Sequence, residues 1–230
     1  MEPKKLPKKH QPKGLPILYE DKDLLVVDKP AGLLTIGSER DKSRTAHYLL
    51  NEYVRKGDPK SRNRVYVVHR LDQDTSGILL FAKSEQAKTF LQENWETTEK
   101  HYLAIVHGRL AAKEGTLSSY LAENSAQRVY STPDAGKGKL SRTEYKVVRE
   151  TQAFSLLEIH LLTGRKHQIR VQLADLGHPV AGDKKYGGEL ATRRLALHAR
   201  SISFIHPYHG RPMSFDTGMP EEFVRMLAKL

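Results

Sequence analysis

The sequence predicts an α+β fold: a central, mixed or mostly antiparallel sheet flanked by helices. β-rich apolar segments outnumber segments of helical period, and they mostly follow one another instead of alternating strictly with helices. That order argues against a doubly wound parallel sheet. At 230 residues, with 38% hydrophobic and 28% charged side chains, the chain can bury a sizeable core. No internal repeat is present.

The elements follow in order. Residues 1 to 14 form an arm with five lysines, broken by prolines and too polar to bury. Two readings stand for it, a strand of charge lying along phosphates and a frayed terminus. Residues 15–230 are expected to form one catalytic domain. Leu24-Leu25-Val26-Val27 is a strand closed by Pro30 and Gly32. Thr45 to Val54 spaces Ala46, Leu49, Leu50, Tyr53 and Val54 as a helix does. Arg64–His69 and Ile78–Ala82 read as strands on either side of a polar knot. Ser84 can cap a helix carrying Ala87, Phe90, Leu91 and Trp95.

Lys100 to Gly108 is a strand, and residues 115 to 150 are hairpin-like, with β segments near 116–121, 128–132 and 143–148. Phe154–Leu162 is a long strand broken by Thr163-Gly164-Arg165. A helix follows with Ile169, Leu173 and Leu176 one turn apart, stopped by Gly177 and Pro179. Residues 195–199 and 201–205 are two further strands. A last helix starts at Pro220, with Phe223, Val224, Leu227 and Leu230 on one face.

Charge and composition narrow the function classes. There are 38 Lys and Arg against 27 Asp and Glu, a formal charge of +11, which favours a polyanionic partner over a small metabolite. Cysteine is absent, so disulfides, thiolate nucleophiles and Cys-ligated zinc are excluded. No apolar run approaches a membrane span, and the first residues lack a secretory signal. A cytoplasmic protein is expected. None of the 11 histidines sits in an H-E-x-x-H motif, and neither a Walker loop nor G-x-G-x-x-G occurs. The sequence thus offers no metal site and no nucleotide cofactor.

Three stretches could carry chemistry. In the knot, His69-Arg70-Leu71-Asp72-Gln73-Asp74-Thr75-Ser76-Gly77, an inward Leu71 would turn Arg70 and Asp72 the other way if the backbone is extended. A carboxylate beside a guanidinium stays ionised, as a nucleophile needs, and a structural ion pair closing the turn would look the same. In Leu162-Thr163-Gly164-Arg165-Lys166-His167-Gln168-Ile169-Arg170, cations gather at a helix start, where anions are favoured; a solvated basic helix start is the plainer reading. Arg170 lies off the Ile169 face. In Lys100-His101-Tyr102, an aromatic among basic residues suits a stacked base, or Tyr102 is simply core.

The knot resembles the catalytic motif of the RluA-type pseudouridine synthases. Further stretches match in order: Leu25–Leu33, Lys100–Ala104, Leu162–Arg170, Gly177–Asp183, Tyr186-Gly187 and Leu195–Ala199, together spanning roughly residues 17 to 210. The resemblance implies a pseudouridine-synthase-like fold with an active-site cleft across the sheet. It also implies isomerisation of specific uridines in ribosomal or transfer RNA, without metal or organic cofactor. Asp72 would be the nucleophile, Tyr102 the ring stacked on the flipped uracil, Arg170 the cation paired with the aspartate, and Arg70 the side chain displacing the target base. Arg165, Lys166, His167, Lys100 and Lys29 complete the expected RNA-facing set. A monomer is expected.

Two departures accompany the match. No S4-type RNA-binding domain is expected before the catalytic region, only the basic arm. Gln172 stands where His is common. Two other functions are open to the residues alone: a base-releasing glycosylase using Asp72 and Asp74 as a carboxylate pair, and a non-catalytic basic RNA-binding protein.

Overall fold

The computed structural model describes residues 11–37, 43–187 and 194–228. The expected arm falls mainly outside them, as does Leu230. The described chain is α+β and divides into two compact units, residues 1–98 with 201–217 and residues 99–200 with 218–230.

In the first unit, β1 (Ile17–Glu20) pairs antiparallel with β2 (Leu24–Lys29), and β2 pairs antiparallel with β4 (Ser76–Ala82). β4 also takes β3 (Tyr66–Val67) at its far end. All seven residues of β4 and five of the six in β2 are buried. Their unbroken apolar runs are what a strand covered on both faces requires. Leu24, Val26, Ile78 and Leu80 pack with Leu91 of α2 (Glu85–Glu93) and with Ile202, Phe204 and Phe215. Thr45 caps α1 (Ala46–Arg55) by accepting from Tyr48 N at 3.1 Å, and Ser84 caps α2 by accepting from Ala87 N at 3.1 Å. Each cap satisfies an amide the helix start would otherwise orphan. Trp95 lies beyond α2, in a 3-10 turn at Trp95–Thr97.

The expected strand at residues 64–69 shrinks to β3. Its continuation is replaced by a side chain: Leu80 N donates to His69 Nε2 at 3.0 Å, where a neighbouring strand would offer a carbonyl. The His69 ring is stacked on Trp95, centroids 4.6 Å apart.

In the second unit five strands pair antiparallel in the order β5 (Glu99–His107), β9 (Phe154–Leu161), β8 (Lys139–Glu150), β6 (Glu114–Glu123) and β7 (Val129–Thr132). Helix α3 (Gln168–Asp175) packs on β6 and β7. Gln172 of α3 is buried and saturated. Its Oε1 accepts from Thr143 Oγ1 at 2.7 Å, and its Nε2 donates to Ser141 O and Ser119 Oγ at 3.0 Å. It ties α3 to two strands at once. Ile169 and Leu173 are buried, but Leu176 lies past the helix end and is exposed.

The two strands expected at 195–199 and 201–205 are one continuous strand, β10 (Leu197–Ile205), divided between the units after Arg200. Arg200 does not break it because its guanidinium leaves the strand sideways to reach Glu158, 2.8 Å away. β11 (Pro212–Asp216), which the sequence did not announce, pairs antiparallel with residues 201–205. In α4 (Glu221–Ala228), Phe223 and Leu227 are buried while Val224 faces solvent.

Candidate active site

The polar knot lies in the first unit, and its backbone is fixed on both sides of Asp72. Leu71 is buried and bound twice to Thr35: Thr35 Oγ1 donates to Leu71 O at 2.9 Å and accepts from Leu71 N at 3.2 Å. Gln73 O accepts from Gly32 N at 2.9 Å and from Lys29 Nζ at 2.9 Å. Asp72, half-buried between these two anchors, closes a turn in which its carbonyl accepts from Thr75 N. Gly77, at φ 114°, stands opposite Lys29 in a conformation that disfavours any side chain. On the entering side, Gln92 Nε2 of α2 donates to Val68 O at 3.1 Å.

Arg70, Gln73 and Asp74 are exposed, as an outward-facing knot requires. Lys29 corrects the expectation that it faces RNA. It is fully buried, and its ammonium donates to Pro30 O (3.0 Å), Leu33 O (2.7 Å) and Gln73 O (2.9 Å). All three N–H donors of the ammonium are thus turned toward main-chain carbonyls. Lys100 is also buried, at 7% exposure, which leaves a phosphate almost no surface to approach.

The second unit holds Tyr102, Arg165, Lys166, His167 and Arg170. Tyr102 is buried on β5, opposite Ile159 of β9. Arg165 and Lys166 are exposed in the turn before α3, with Lys166 paired to Glu123. His167 begins α3 with φ 55°, a left-handed backbone uncommon for a residue with a Cβ. Its Nδ1 lies 2.7 Å from the Tyr186 hydroxyl, which also accepts from Val129 N at 3.2 Å. Burial raises the Tyr186 phenol above its ordinary value against the pull of Val129 N–H and Arg170, so it stays protonated.

Arg170 is buried and held by a carboxylate that sequence reasoning missed. Nε donates to Asp183 Oδ2 at 2.7 Å and Nη2 to Asp183 Oδ1 at 2.8 Å, a side-on bidentate pair. The Arg170 guanidinium carbon lies 5.2 Å from the centroid of the Tyr186 ring, and that of Arg128 lies 5.3 Å from it. The available signal was a single Asp at the end of the apolar run Pro179-Val180-Ala181-Gly182; a carboxylate buried there needs a cation.

One group of possible metal donors converges among the described residues: Asp21, Asp23 and His206. Its lone pairs are largely committed. Asp21 accepts from Tyr19 Oη, His206 Nε2, Asp23 N and Leu24 N, while His206 Nδ1 accepts from Tyr208 N. The arrangement is a hydrogen-bonded loop anchor.

The family model for RNA pseudouridylate synthases matches residues 23–175. The chain belongs to this family. It is 35% identical over 222 residues to an RNA pseudouridine synthase of Mycoplasma genitalium, covering 94% of this chain and 70% of the relative. It is 36% identical to ribosomal large subunit pseudouridine synthase D of Nitrosomonas europaea, covering 95% of this chain and 66% of that protein, just under two thirds of its length. Among solved structures, human RNA pseudouridylate synthase domain containing 1 superposes with a TM-score of 0.71 at 27% identity, covering 96% of this chain and 87% of that one. Human RNA pseudouridylate synthase domain containing 4 has a TM-score of 0.77 at 24% identity, covering 93% and 92%, and shares the fold. In this pseudouridylate synthase domain the loop that carries Asp72 is anchored through Leu71 and Gln73.

Proposed function

We propose that this synthase isomerises a specific uridine of large-subunit ribosomal RNA, with Asp72 as nucleophile, Tyr102 stacked on the flipped uracil and Arg170 as the cation that pairs with Asp72. Arg70 displaces the target base from its stack, and Arg165, Lys166 and His167 meet the RNA backbone. The observation that carries this reading is the anchoring of Asp72 between Leu71 and Gln73. A turn serving only to reverse the chain would not need a buried ammonium and a buried hydroxyl holding both neighbours of one half-exposed carboxylate.

The chemistry is balanced within the substrate: N1–C1′ breaks, C5–C1′ forms, the C5 proton leaves and N1 gains one. The reaction therefore needs a fixed ionised carboxylate and a place to turn the base, and it consumes no electrons. A uracil inside a stem is out of reach, so flipping costs a few kcal/mol, less in a loop. The ribosomal substrate is supported by the relatives named for the large subunit. The synthase is proposed to act as a monomer in the cytoplasm; no described helix is long and apolar enough to cross a membrane.

Asp72→Asn tests the assignment. The variant is expected to fold and bind RNA as the parent does while forming no pseudouridine on in vitro transcribed large-subunit ribosomal RNA. Wild-type turnover by the variant would overturn the role of Asp72. Release of free uracil by the parent would mark a glycosylase, and modification of transfer RNA alone would move the substrate.

A further inference from the structure

The Arg170–Asp183 pair has a geometry that a simple core salt bridge does not need. We propose that Asp183, backed by the ring of Tyr186, is a positioning residue that sets where the Arg170 guanidinium stands and how much of its charge is left to act on the nucleophile; this rests on the reading that Arg170 serves Asp72.

Asp183 is itself fixed before it meets Arg170. Its side chain is fully buried, and Oδ1 accepts from Lys185 N at 3.0 Å and Tyr186 N at 3.1 Å besides Arg170 Nη2. The carboxylate is therefore held by two backbone amides in a turn, and its orientation is decided by the chain and not by the arginine. It grips Arg170 by the Nε and Nη2 edge. That choice leaves the Nη1 end of the fork directed away from Asp183.

Tyr186 limits the remaining freedom. Its ring stands 5.2 Å from the Arg170 guanidinium carbon, and its hydroxyl is pinned between Val129 N and His167 Nδ1. Edge and ring together leave the guanidinium little room to turn. Carboxylate, ring and imidazole sit within a segment of α3 and the turn that follows Gly182.

The electrostatic consequence is specific. A bare guanidinium would pull a neighbouring carboxylate strongly toward its ionised form. One already paired with a buried carboxylate has much of its charge offset, so its pull on a second carboxylate is weaker. Asp183 thus keeps Arg170 oriented and offsets part of its charge. Removing the Asp183 charge without removing its shape exposes the full charge of Arg170.

The test uses the full chain, in vitro transcribed large-subunit ribosomal RNA and single-turnover pseudouridine formation, with thermal melts and RNA binding measured alongside. Asp183→Asn is expected to slow the single-turnover rate roughly a hundredfold, the scale of an ångström-level misplacement, while RNA affinity holds. Adding Arg170→Lys to it should cost much less than Arg170→Lys costs alone, because the two act as one unit. A wild-type rate or additive losses would each overturn the proposal. If Asp183→Asn does not fold, Tyr186→Leu, which keeps the ion pair, is expected to lower the rate roughly tenfold at unchanged RNA affinity, and an unchanged rate would overturn it. Asp72→Asn and Arg170→Lys run in parallel. If both stay active, the reading of the catalytic centre fails, whereas if both are dead and Asp183→Asn is normal, only the role of Asp183 falls.

Discussion

Lys29→Met replaces the ammonium under the Asp72 loop by an apolar side chain of similar length. Three hydrogen bonds to backbone carbonyls vanish, those to Pro30, Leu33 and Gln73. Gln73 O keeps Gly32 N as a donor. Each bond from a charged donor contributes about 2 kcal/mol, against several kcal/mol saved by not burying an ion, so the net loss is about 3 kcal/mol. For a chain of this size Tm should drop by roughly 6–12 °C. Calorimetry measures that drop. Hydrogen exchange reads the loop itself: the Gly32 amide, which donates to Gln73 O, and the Thr75 amide, which donates to Asp72 O, should lose protection before the β4 amides do. Pseudouridine formation should fall more than RNA affinity, because Asp72, the proposed nucleophile, is loosened and not removed. A variant with Tm within about 2 °C of the parent and unchanged loop protection would refute the view that Lys29 holds this loop.

Two further predictions concern pH. Burial opposes ionisation of Asp21, but hydrogen bonds from Tyr19, Leu24 N, His206 and Asp23 N outweigh it and hold the carboxyl below its ordinary 3.8. A depressed folded value gives stability that is present above 3.8 and lost as pH falls through the folded value. Asp21→Asn should therefore lower Tm at neutral pH, with the gap to the parent closing on strong acidification. His101 is shifted down from 6.5, first by burial and then by the His160 ring stacked 4.7 Å away, against the opposing pull of Glu99 and Glu158. The unfolded chain takes up that proton more readily than the folded one, so stability falls as pH drops below 6.5. His101→Gln should flatten the part of the Tm–pH curve just below 6.5, and an unchanged slope there would show that His101 does not titrate as argued.

How far the sequence reached depends on the kind of signal. Apolar runs such as Leu24–Val27 and Ile78–Ala82, and the cap at Ser84, were legible because they act within a few residues. The strand at 64–69 was misread in length because its pairing is finished by an imidazole, and hydrophobic periodicity carries no mark of that. Residues 197–205 were divided because Arg200 looks like a break until its partner on β9 is known. Within the candidate site, Arg70 and Asp74 are as exposed as the knot's polarity suggested. Lys29 was misassigned because a lysine reads as surface unless carbonyls converge on it, and those carbonyls belong to residues up to 44 positions away. Asp183, at the end of a matching stretch, was given no role for the same reason: the sequence shows a charge, and only the fold shows the guanidinium it neutralises.

The stack of His69 on Trp95 has a practical side. Trp95 is the only tryptophan of the chain, and it lies against His69, the first residue of the motif that holds Asp72. Indole emission responds to a neighbouring imidazole and to its protonation, so the intrinsic fluorescence of the unmodified protein reports on this one place. Events at the motif, from acidification to the seating of an RNA, are thereby open to optical observation without a label.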